Sequence, residues 1–189
     1  MALGLFGKPK VAVDKAADAF FAHMAQVASA TYDQWIAALI DTMTKGCGVD
    51  AGWAKRFIEV SDSRRDTYAL YFAAVLAQEA QGIRVCLDER SGAAVRAALS
   101  HNMVSKVEPH NRWFPPTVDR YIELQANMRS MMDQPVVSAL LTDMGFHAYD
   151  ETKALIGHPI WQLPLADALL RLNAQAYWKR FAEKSEIKV

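Results

Sequence analysis

The sequence predicts an all-α protein: a single-domain irregular bundle of about seven to nine helices. Three observations carry this. Apolar residues recur three or four apart in several long stretches, which is the period of an amphipathic helix. Alanine, the best helix former, occurs 31 times and clusters in those stretches. Glycine, proline and Ser/Asp signals fall between the stretches, where helices must start and stop. The strand period appears only at Ile83–Glu89, where Ile83, Val85 and Leu87 alternate with polar neighbours. With no convincing second strand to pair with it, this segment reads as helix or irregular link. Residues 13–184 are expected to form one helical domain behind a flexible tail, 1–12.

The first and longest helix is predicted over Val13–Met43, with Phe20, Met24, Val27, Thr31, Trp35, Leu39 and Met43 on one face. Gly46 and Gly48 should end it. A short helix follows over Ala51–Val60, and Ser61-Asp62-Ser63 can cap the next. That one is expected over Arg65–Gln81, with Tyr68, Tyr71, Phe72, Val75 and Leu76 inward and Gly82 as the stop. Ser91-Gly92 leads into a helix over Ala93–Lys106. Prolines 109, 115 and 116 make Glu108–Pro116 the strongest break in the chain. A helix should then open at Pro116 or Thr117 and reach Met132. Asp133 should cap another, carrying Pro135 in its first turn and ending before Gly145. Asp150 should cap a helical turn closed by Gly157. His158–Pro164 reads as an aromatic link, and Leu165–Lys184 as a single last helix with fraying residues behind it.

Composition excludes several classes of function. The chain balances 21 basic against 21 acidic side chains, so a general nucleic-acid binder, which carries a basic excess, is not expected. Arg64-Arg65 ahead of Tyr68, Tyr71 and Phe72 is too small a basic-aromatic patch to alter that. Met1–Gly7 is apolar but short, and its basic residues follow rather than precede it, the reverse of a secretory signal. No stretch has the length of a transmembrane helix. Cys47 and Cys86 are isolated and read as reduced thiols of a cytoplasmic protein. No phosphate loop, zincin motif or nucleophile elbow is present. His147 and Glu151 have the spacing of metal ligands on one helical face, but they fall in a loop and a cap, so no metal site is expected.

Three groups of candidate residues remain. Arg112, Trp113 and Phe114 lie between prolines, as does Trp161, and Met128, Met131 and Met132 cluster on one helix. Aromatic residues and arginine dominate binding hot spots, and methionine makes adaptable contact surfaces. These seven residues are candidates for contacting a protein partner or a second copy of the chain. His101, on a helix, is a candidate haem or apolar-ligand residue, with Tyr32, Trp35 and Phe72 lining the other side of the pocket. The stretch 101–121 resembles the protoglobins, in which the proximal histidine is followed at a distance by a proline and an Arg-Tyr pair. Here His101 is followed by Pro115, Arg120 and Tyr121. That resemblance implies haem on His101. The third group is His101, Glu108, His110 and Asp119, a set able to do acid-base chemistry if it converges in a cleft. The missing catalytic motifs place a non-catalytic interaction or regulatory role first. Such a protein would act through an apolar Met/Trp-rich surface and could form a homodimer.

Overall fold

The computed structural model describes residues 7–60, 63–106, 114–128, 134–170 and 175–189. They form nine α-helices and one minimal two-stranded sheet, the expected all-α bundle. Strand β1 is Lys10–Ala12. It is followed by α1 (Val13–Cys47), α2 (Ala51–Val60), α3 (Ser63–Cys86), α4 (Glu89–Lys106) and α5 (Phe114–Ala126). Then come α6 (Pro135–Asp143), two 3-10 turns at Phe146–Ala148 and Asp150–Thr152, α7 (Lys153–Gly157), α8 (Pro159–Leu170), α9 (Gln175–Lys184) and β2 (Glu186–Lys188). Among the described residues no helix is long and apolar enough to cross a membrane.

Helix α1 spans 35 residues, about 52 Å at 1.5 Å per residue. Its buried line runs Phe20, Met24, Ala28, Tyr32, Trp35, Leu39, Met43. Gly48 ends the helix with φ 67°, a left-handed conformation that a Cβ would strain. Gly46 does not end it. It sits inside the last turn, for a reason given below. Helix α2 has its expected bounds, and the Asp50 carboxylate accepts a 2.8 Å hydrogen bond from the Trp53 N–H at its start.

Helix α3 is the axis of the bundle. Every residue from Ala69 to Ala77 is buried, so the helix has no solvent face over more than two turns. It packs most extensively on α5 and α9, and also touches α1, α2, α4, α6 and α8. Aromatic rings join it to α1: Phe72 to Phe21 (5.4 Å), Tyr71 to Trp35 (5.2 Å), and Tyr68 and Tyr71 to Tyr32 (5.2 and 5.5 Å). The hydroxyls of Tyr71 and Thr31 share a 2.7 Å hydrogen bond. Burial pushes the Tyr71 phenol above its ordinary pKa, and that bond opposes the shift.

Several further expectations change. Gly82 does not stop α3; the helix continues through it to Cys86, which makes the ambiguous Ile83–Cys86 segment helical. Helix α4 starts a turn early because Asp88 caps it, accepting 3.0 Å from the Ser91 N–H. Hydrogen bonds from the Ser91 side chain and backbone hold the Asp88 carboxyl below its ordinary pKa. The aromatic link at 158–164 is already helix, with Pro164 inside α8, and the expected last helix is carried as α8 and α9 with 171–174 outside the described residues. Residues 10–12 and 186–188, expected as tail and frayed end, pair in parallel as Lys10 with Glu186, Val11 with Ile187 and Ala12 with Lys188. Helix α5 opens at Phe114, ahead of Pro116, and ends at Ala126, short of Met132. The Asp133 cap and the 61–62 part of the earlier cap lie outside the described residues.

Helix α9 closes the bundle against α1 and α3. Trp178 is fully buried, its ring 4.9 Å from Phe20, 5.3 Å from Tyr177 and 5.4 Å from Phe181. Helices α5 and α6 are fastened by Asp143. It accepts 2.7 Å from the Tyr121 hydroxyl and 3.0 and 3.2 Å from the Arg120 guanidinium. Burial first, then the adjacent carboxylate, pushes the Tyr121 phenol well up, so it remains a donor at any ordinary pH.

Candidate functional site

One end of the bundle gathers α1's last turn, the start of α2, the two 3-10 turns, α7 and the first turn of α8. Three large apolar side chains face solvent there: Ile160 is 60% exposed, Tyr149 38% and Trp161 37%. Each is held by a specific contact or turn. The Tyr149 ring meets Trp53 of α2 edge-on at 5.6 Å. The turn before α7 is locked by Thr152, fully buried, whose hydroxyl donates to the Phe146 carbonyl and, at 3.0 Å, to the Tyr149 carbonyl. Lys153 pairs with the exposed Asp150 carboxylate and holds it below its ordinary pKa.

Trp161 lies on Gly46. A Cβ at Gly46 would come within 2.8 Å of two atoms of the indole ring, closer than any real contact allows. Glycine is therefore required inside α1 so that a tryptophan of α8 can rest on its backbone. Helix propensity alone predicts that Gly46→Ala stabilises by about 1 kcal/mol. The expected outcome is instead no gain, or a loss, while Trp161 is present. The gain should return in a Trp161→Ala background. A double-mutant cycle by urea denaturation measures this coupling, expected at about 1 kcal/mol or more.

Gln162, the next residue, is fully buried. Its amide nitrogen donates to the Leu155 and Ile156 carbonyls (3.0 Å each), which are left over at the end of α7. Its amide oxygen accepts from the Ser138 hydroxyl of α6 at 2.8 Å. One side chain thus orients the turn of α8 that presents Ile160 and Trp161. Nearby, burial raises the Cys47 thiol pKa above its ordinary value, against a hydrogen bond with the Leu155 backbone. Cys47 and Cys86 are both free and half-buried.

The remaining candidates are dispersed. His101 is exposed on α4. The adjacent Asn102 donates 2.5 Å to Asp18, near the start of α1. Tyr32 lies 14 residues further along α1, about 21 Å at 1.5 Å per residue. Trp35 and Phe72 are buried in the α1–α3 aromatic layer. The fold therefore does not bring His101 together with Tyr32 or Trp35, while Phe72 is buried against Phe21, three residues along α1 from Asp18. Tyr32 instead edges a groove of about 260 Å³ between α1 and α2, with Ile36, Ile40 and Ile58. Arg120 and Tyr121, the pair behind the protoglobin resemblance, are both engaged by Asp143.

Of the acid-base set, Asp119 accepts 3.4 Å from the Ser100 hydroxyl, while Glu108 and His110 lie outside the described residues. So do Arg112, Trp113, Met131 and Met132. Phe114 opens α5, and Met128 is half-buried just past its end. His147 donates from Nδ1 to the Thr142 carbonyl at 3.0 Å. Among the described residues no three His, Cys, Asp or Glu side chains are grouped to hold a metal ion. Of the seven partner-contact candidates, Trp161 is the one placed on an exposed apolar patch. Tyr149, Gly46 and Gln162 do not stand out as site residues in the sequence, and the Gln within the apolar run IWQLPL is the signal for the last. No protein-family model matches the chain, and the comparisons found no matching curated protein or solved structure.

Proposed function

We propose that the protein is a non-catalytic interaction protein, and that its partner is a second copy of the same chain docking on Ile160 and Trp161. One observation carries this: two adjacent large apolar residues stand exposed on a turn that buried hydrogen bonds and a glycine seat hold in place. An aromatic anchor whose rotamer is already restrained loses little entropy on binding, which favours its use as a hot spot. Charge supports a like partner. The chain has no net charge, and beside the patch Asp150 is already neutralised by Lys153. Two copies therefore approach without repulsion, and neither an acidic nor a basic partner is selected.

Ile160→Asp and Trp161→Ala test the reading, because both positions are exposed and neither change should unfold the chain. Light scattering after size exclusion should give a dimer for the wild type and a monomer for Ile160→Asp, with unchanged helical circular dichroism. Wild type and variant eluting alike would refute the proposal.

A further inference from the structure

A second open groove lies between α3, α4 and α5, with a volume of about 460 Å³. It shares no residue with the Ile160–Trp161 patch. Its apolar lining includes small side chains, the buried Ala77 and Ala80 of α3 and the exposed Ala126 of α5, beside Ile122. At its edge stands Val85, 72% exposed, the most exposed large apolar residue described. The charged lining is Arg84, Arg96 and Glu123, a net charge of one positive. Among the described residues none of these three makes an ion pair. A smaller void shares Ala80, Arg96 and Ile122 with this groove and is also lined by Phe20, Leu76 and Leu99.

The geometry points to a binding site for a single-chain amphiphile with one carboxylate head, a free fatty-acid-like anion. The volume falls in the range of small-molecule sites. The alkyl chain covers Val85 and the alanine lining, removing apolar surface from water. The carboxylate takes the arginine side: guanidinium forks match carboxylate geometry and outnumber the single glutamate two to one. A cationic head would face two like charges against one opposite charge, and a neutral head would leave the net positive charge of the lining uncompensated.

The test is calorimetric titration of the full chain with dodecanoate held below its micelle concentration, with dodecanol and dodecyltrimethylammonium as controls. The expected result is saturable one-to-one binding of dodecanoate and weaker binding of both controls. The Arg84→Gln/Arg96→Gln double variant should bind dodecanoate about tenfold or more weakly with unchanged helicity. Val85→Asp, at an exposed position, should weaken it as well. Three results would overturn the inference: no saturation up to about 1 mM, equal affinity in the double variant, or tighter binding of the cationic amphiphile. Binding only to anionic lipid vesicles and not to monomeric dodecanoate would also overturn it, as a surface effect.

Discussion

Trp178→Ala is expected to cost about 3–5 kcal/mol of folding stability, the range for removing a large aromatic side chain from a core. The indole is fully buried and makes ring contacts with Phe20, Tyr177 and Phe181. It is the main apolar fastening of α9, and α9 leads directly into β2, the partner of β1. The cavity left by the ring cannot be filled by neighbours that are aromatic and already packed. A urea titration should show a lower midpoint with an unchanged slope. Trp178→Phe should cost less than size alone implies, about 1–2 kcal/mol. The indole N–H finds no acceptor among the described residues, so phenylalanine removes an unsatisfied buried donor along with the lost volume. A loss below about 1 kcal/mol for Trp178→Ala would mean that α9 docks by other means.

Gln162→Leu is expected to cost about 2–4 kcal/mol, although leucine fits the size and the apolar surroundings. The substitution removes one acceptor and two donor hydrogens at once. The Leu155 and Ile156 carbonyls at the end of α7 and the Ser138 hydroxyl then lose their partner beside a fully buried position. Gln162→Glu separates the contributions. It keeps an acceptor for Ser138, but its carboxylate would face two carbonyl oxygens, so its cost should match or exceed that of leucine and shrink as pH falls and the group protonates. If leucine is tolerated without loss, the three hydrogen bonds do not hold the α7–α8 turn.

Local features of the chain were legible where local physics decides them. Helix α2 has the bounds read from its pattern, and Gly48 ends α1 in a left-handed turn as a glycine after a helix should. Where tertiary contact decides, the pattern misleads. Gly46 looked like part of a stop signal but serves a tryptophan distant in sequence. Gly82 looked like a stop, yet α3 runs on through it to Cys86, with Gly82 and Ile83 buried against the bundle. Pro159 and Pro164 suggested a link, but a proline in the first turn costs a helix nothing, and α8 tolerates the second within it. The terminal strands span three residues each, too short to show alternation, and their pairing is non-local. For the sites, Trp161 was legible as an aromatic beside prolines. The residues that hold it, Gly46 and Gln162, were not, because helix directions do not follow from periodicity. The Arg84–Arg96 groove was hidden for the same reason: three helices must meet before it exists. The set centred on His101 paired residues by type, and α1's length keeps Tyr32 and Trp35 from it.

The most direct test of the interaction reading is sedimentation velocity on the wild-type chain over a concentration series. The expected result is a mass rising from 21.0 kDa toward twice that value with concentration, and no such rise for Ile160→Asp under the same conditions. A wild-type chain that stays at 21.0 kDa throughout, or a dimer that Ile160→Asp leaves intact, would contradict it.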